Sequence, residues 1–154
     1  MRGFFSALYA IAVTVWTGSL LAIGYLAAPV LFSQLTDRGL AGNLAGVMFT
    51  YTAWIGLGCG AYLLLYLMFG RGWRAVKSSV FWIVLAMLAL TVAGHFGVQP
   101  ILAQLKADAL PRQVMESALR SRFATWHGVS SVLYLVQSLL GIVLVVLQDR
   151  GKGR

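Results

Sequence analysis

Four stretches of this chain contain no Asp, Glu, Lys or Arg: residues 3–36, 39–70, 78–105 and 123–148, which are 34, 32, 28 and 26 residues long. A helix needs about 20 apolar residues to cross the hydrocarbon core of a bilayer, so every stretch is long enough. The stretches are continuously apolar rather than alternating. That pattern favours helices, whose backbone groups are satisfied within one segment, over barrel strands. The sequence therefore predicts an all-α polytopic membrane protein, a single four-helix transmembrane domain with helices near 4–32, 42–69, 79–105 and 123–147. Composition agrees. Of 154 residues 60% are hydrophobic and 10% are charged, against about 25% charged in an average soluble domain. A soluble domain this small would need more polar surface, because its surface-to-volume ratio is high. The lipid bilayer is the first partner expected.

Arg2 ahead of an apolar run resembles the start of a signal peptide, and Ala27 and Ala28 are small enough for cleavage. The run continues past Pro29 to Phe32, however, well beyond the roughly 7–15 apolar residues of a signal sequence, so it reads as the first helix. The net charge of +8 would suggest nucleic acid in a soluble protein. Here every charge falls in a connector or tail, and orientation explains the excess. With both termini cytoplasmic (N-in/C-in), the inner side carries Arg2, Arg71, Arg74, Lys77, Arg150, Lys152 and Arg154. The outer side carries Arg38, Lys106, Arg112, Arg120 and Arg122, so the inner side is richer in cations. No nucleic-acid partner is expected. Trp73, Trp82, Tyr66, Phe4 and Phe5 then fall near the inner interface, and Phe32, Phe123 and Trp126 near the outer one, as an aromatic belt requires. The localisation expected is the inner (cytoplasmic) membrane of a bacterium. Between Lys106 and Arg122, Pro111 and the interleaving of Gln113, Glu116 and Arg120 with Val114, Met115 and Leu119 predict an amphipathic surface helix.

Gly42 with Gly46, and Gly56 with Gly60, are small-xxx-small pairs that let a neighbour approach the second helix closely. Packing within the chain is their ordinary meaning; a homodimer through Gly56 and Gly60 is the association they suggest. Pro29 and Pro100 are expected to bend or end the first and third helices. Thr91, His95 and Gln99 recur at four-residue intervals on the third helix, and His127, Ser131, Tyr134 and Ser138 share one face of the fourth. With Tyr25 and Tyr51 at similar depth, these stripes are expected to converge in the outer half of the bundle. His127, Ser131, Tyr134, His95, Gln99, Tyr25 and Tyr51 form the candidate ligand-binding set, since polar groups in a membrane interior often line a pathway or site. The plainer alternative is that both histidines only hydrogen-bond neighbouring helices.

Direct ligation of one metal by both histidines is disfavoured. At 1.5 Å rise per residue His95 lies about 15 Å and His127 about 6 Å below the outer edge. The offset of about 9 Å far exceeds what bonds of ~2 Å can bridge. The lone cysteine, Cys59, excludes an internal disulfide and an all-cysteine metal site. No phosphate-binding glycine loop, H-E-x-x-H, C-x-x-C or nucleophile elbow occurs, so no catalytic residue is assigned. No Asp or Glu falls inside a predicted helix, which argues against proton-coupled transport by this chain alone.

The stretch from Trp16 to Phe32 followed by Asp37, Ala41, Gly42 and Phe49, the pair Gln99 and Pro100, and the block Arg122, Phe123, His127, Gly128, Ser130 and Ser131 together resemble the transmembrane-protein-205-like family. Tyr134, where eukaryotic members tend to have Asn, and the short outer connector make the chain similar to a bacterial member. The resemblance implies a four-helix integral membrane protein and supplies no reaction. More distantly, the architecture is similar to copper-resistance D and membrane protoporphyrinogen oxidase bundles, some of which hold copper or haem on membrane histidines; no lysine corresponds here to that expected of the haem type. The reading is a non-enzymatic accessory, small-ligand-binding or transport module. The alternatives are a haem- or copper-binding redox protein and a purely structural scaffold.

Overall fold

The computed structural model describes the backbone of residues 2–109 and 117–150 and the side chains of residues 3–108 and 119–148. All the described regular structure is helical. Four helical spans are long and apolar enough to cross a membrane: Gly3–Gln34, Arg38–Lys77, Ser79–Asp108 and Leu119–Gln148. Each packs on its neighbours in sequence, and the fourth returns to pack on the first, closing an antiparallel ring of four. An even number of spans puts both termini on the side of the connector between the second and third.

The helices run past their expected bounds because backbone bonding and caps, not side-chain hydropathy, decide where they stop. The second begins at Arg38, four residues before the expected start at Gly42. Asp37 caps it, Oδ1 accepting from the N–H of Gly39 at 2.8 Å and of Leu40 at 3.1 Å. The α-helix ends at Arg71 because Gly72 takes φ +54°, which side chains disfavour. A tight helical turn, Gly72–Lys77, leads to the third span. There the Trp82 indole donates to the Val76 carbonyl at 2.8 Å. The fourth helix begins by Ser117, so Arg120 and Arg122 ride on its first turns. The rest of the expected surface helix, including Pro111, Gln113 and Glu116, lies outside the described residues.

All four spans contribute to one core of Ala12, Val13, Trp16, Leu20, Leu63, Val84, Met87 and Leu144. Yet only 17–28% of each span's most apolar window is buried. Side chains such as Phe69, Val132 and Leu139 point outward, an arrangement stable where lipid replaces water. Trp16 fills the centre, fully buried. It fits because Gly56 and Gly60 have no side chains: a Cβ on Gly56 would stand 2.6 Å from the Trp16 indole nitrogen, and one on Gly60 3.0 Å from its ring. Gly56 and Gly60 are thus buried beneath Trp16 of the same chain.

Pro29 and Pro100 neither end their helices nor break them. Each is preceded by a widened π turn, Ile23–Ala27 in the first span and Ala93–Val98 in the third. Proline lacks an N–H and its ring crowds the carbonyl four residues back; a turn closed at i+5 opens room for it. In both spans the residue before the proline donates to the carbonyl five residues earlier, Ala28 to Ile23 and Gln99 to Gly94. The two segments share one register, Gly24-Tyr25-Leu26-Ala27-Ala28-Pro29 against His95-Phe96-Gly97-Val98-Gln99-Pro100, each π turn ending two residues before its proline, the one identical residue. Helices of 34 residues, Arg38–Arg71 and Ser117–Arg150, come next in each half. The two halves thus repeat one pattern.

Candidate functional site

The seven candidate residues do not gather in one cluster; they fall into three groups. In the first, Tyr134 of the fourth span crosses to the π turn of the first. Its hydroxyl donates to the Leu20 carbonyl at 2.7 Å. Its ring occupies the space above Gly24, where any side chain would overlap it. Tyr25 and Phe49 flank that ring at 6.2 and 5.1 Å between centroids. Tyr25 is itself half-exposed on the outside of the bundle.

In the second group, His95 sits in the π turn of the third span and turns toward the second. Its ring meets Trp54 edge-on at 5.5 Å and Phe96 at 4.7 Å. Gln99, one turn on, accepts a hydrogen bond from Thr50 of the second span at 3.2 Å through Oε1. His95, Phe96, Gln99, Pro100 and Ala103 line a shallow groove of about 330 Å³ on the outside of the bundle. The His95 Nδ1 is buried and has no hydrogen-bond partner among the described residues. A buried polar nitrogen without a partner costs roughly 1–3 kcal/mol, so such an atom calls for an explanation.

In the third group, His127 is exposed and stacks on Phe123 of its own helix at 5.9 Å and 8°. Ser131 is exposed and donates back to the His127 carbonyl at 2.9 Å. Tyr51 is 67% exposed on the bundle surface. The two imidazoles therefore keep separate neighbours, and the expected convergence of stripes does not occur. The reason is rotational. Shared helical faces align residues within a span, but the turn of each span about its own axis is set by the Trp16–glycine contact and the π turns, which periodicity does not reveal. Among the described residues no three His, Cys, Asp or Glu side chains gather as a metal site would require.

Sequence reasoning missed the polar layer that does form in the core. Gln137 is buried and donates to the Thr91 hydroxyl at 2.7 Å. Thr91 in turn donates to the Met87 carbonyl at 2.9 Å. Thr17 bonds the Gly141 carbonyl at 3.4 Å, and Ser138 that of Tyr134 at 2.8 Å. Gln137 was open to discovery, as a carboxamide in an apolar helix three residues beyond Tyr134. Trp54 and Thr50 carried no signal, since Trp and Thr are ordinary in membrane helices. At the end of the bundle opposite the connector between the second and third spans, Lys106 Nζ donates to the Gly42 carbonyl at 3.1 Å, tying the third span to the second.

Comparison with known proteins adds one finding about kinship. No curated protein and no solved structure matches the chain. A family model described as a domain of unknown function, DUF4149, matches residues 11–111, which hold most of the first three spans and both π turns. The protein is a four-helix, multi-pass membrane protein and belongs to the DUF4149 family.

Proposed function

We propose that this protein is a non-enzymatic module of the bacterial inner membrane, oriented N-in/C-in, that binds a small ligand in the groove beside His95 and serves its transport or presentation. The observation that carries this reading is the buried, unpartnered Nδ1 of His95 beside Gln99. A histidine used only to tie helices together would have its nitrogens satisfied by neighbours. The π turn that carries His95 supports the same reading, because such turns concentrate at functional sites. The residues matching the transmembrane-protein-205-like pattern, Gln99 and Pro100 among them, favour placing the family beside that one. His127, Ser131 and Tyr51 stand outside the working site; Tyr25 and Tyr134 support the opposite half.

The test is native mass spectrometry of the protein released from its own membranes, with absorption and metal analysis of the same sample. A small-molecule adduct lost in His95→Phe and kept in His127→Gln is expected. Absence of any His95-dependent adduct overturns the reading. A Soret band or stoichiometric copper would replace it with the haem or copper redox alternative.

A further inference from the structure

We infer that the connector between the second and third spans is a binding surface for the headgroups of anionic phospholipids, held by Arg71, Arg74 and Lys77 and flanked by Phe69, Trp73 and Trp82.

The backbone sets the arrangement. Arg71 closes the second α-helix, Gly72 turns the chain, and Gly72–Lys77 winds as a tight helical turn. With about three residues per turn, side chains three apart eclipse, so Arg74 and Lys77 project from one side, about 6 Å apart along the axis. Arg71 folds back over the same turn, its Nη1 donating to the hydroxyl of Ser78, the neighbour of Lys77, at 3.5 Å. The turn is fixed rather than loose. Ala75 is fully buried against the bundle, the Ser78 N–H bonds the Ala75 carbonyl at 2.9 Å, and the Trp82 indole holds Val76. All three cations stay exposed on this fixed base.

The chain offers these cations little to neutralise them. No Asp or Glu occurs between Arg38 and Lys106. The described carboxylates, those of Asp37 and Asp108, stand at the opposite end of the bundle. Arg2 and Arg150 come to the same end as the connector, and the acid there in the sequence is Asp149 alone. Setting the orientation of the chain requires an excess of cations, not their alignment on one rigid turn. Aligned cations suit a phosphate, which accepts charge-assisted hydrogen bonds from several donors at once.

The apolar surroundings decide where that phosphate comes from. Phe69 is 87% and Trp73 83% exposed, the most exposed large apolar side chains among the described residues, and Trp82 is exposed beside them. Bulky rings spread around three cations are costly in water, whereas at a bilayer surface such rings lie at headgroup level. A lipid with an anionic head meets both features together, its phosphate on the cations and its glycerol and upper acyl carbons on the rings. Basic clusters at the edge of a span attract anionic leaflets in this way. A soluble polyanion would satisfy the cations alone, and would have to displace the headgroups that the rings already touch.

The experiment is lipid titration of the purified full-length protein in uncharged detergent micelles, where binding is separated from the part the cations play in orientation. Bound dioleoylphosphatidylglycerol and dioleoylphosphatidylcholine are counted by native mass spectrometry. The unaltered protein should retain the phosphatidylglycerol in preference to the phosphatidylcholine, whose tails are the same. The double substitution Arg74→Gln with Lys77→Gln should weaken phosphatidylglycerol about tenfold or more. Arg120→Gln with Arg122→Gln, which removes the same charge at the other end of the fourth span, should weaken it less than about twofold. The inference is overturned if the unaltered protein holds both lipids equally, if the two double variants weaken phosphatidylglycerol alike, or if inorganic phosphate at the lipid's concentration displaces it. The result is independent of the groove beside His95, which none of these substitutions touches.

Discussion

A methyl group at Gly56 would press on the indole nitrogen of a fully buried Trp16, whereas one at Gly46 meets nothing within 4 Å. Both glycines belong to small-xxx-small pairs on the same helix, so sequence gives them equal standing. Packing separates them. Gly56→Ala should destabilise the bundle by about 1–3 kcal/mol, the usual cost of overpacking a filled core. Gly46→Ala should be neutral or stabilising by up to about 1 kcal/mol, since alanine is the better helix former. Unfolding in mixed detergent, followed by a single-site probe, measures both; equal effects would contradict the position assigned to Trp16. The same contrast explains what was legible at this scale. Spacing showed where close approach was allowed, while which glycine received a neighbour depended on a tryptophan forty residues away in the chain.

The π turns belong to the scale of elements. Pro29 and Pro100 were visible as disturbances, but a sequence does not say whether a proline will kink, end or widen a helix. The outcome here reflects burial on both sides of each π turn: Leu20 and Ala28 in the first span, and Thr91 and Leu105 in the third, are held in the bundle. Ending the helix would release those contacts, and widening one turn retains them. Pro100→Ala restores the missing N–H and removes the crowding at the Phe96 carbonyl, so residues 93–98 should tighten to an ordinary α turn. Loss of the extra residue rotates the part of the helix before the turn by about 100° relative to the part after it. His95 then leaves Trp54. In a histidine-labelled spectrum the His95 signals should move with the lost ring contact while those of His127 stay; an unchanged His95 would mean that packing, not proline, holds the turn open.

At the scale of the whole molecule, four charge-free stretches made the number of helices and their solvent readable, because the cost of placing ions in hydrocarbon leaves so plain a trace. The ring order and the dispersal of the polar stripes were not readable, since they depend on how each span is rotated about its axis, whereas the offset of the two histidines along the bundle was. Orientation is testable through the exposed connectors. In a Cys59→Ser background, Arg38→Cys should react with an impermeant maleimide in cells whose inner membrane is intact, and Trp73→Cys, 83% exposed in the original side chain, only after that membrane is breached. The reverse pattern would invert the topology. The ring that seals the Gly24 notch comes from the fourth span, which is made after the notch in the first. During biogenesis the leading hairpin therefore waits, incompletely packed, for the trailing one, and a chain cut short before its fourth span would display an unsealed seam.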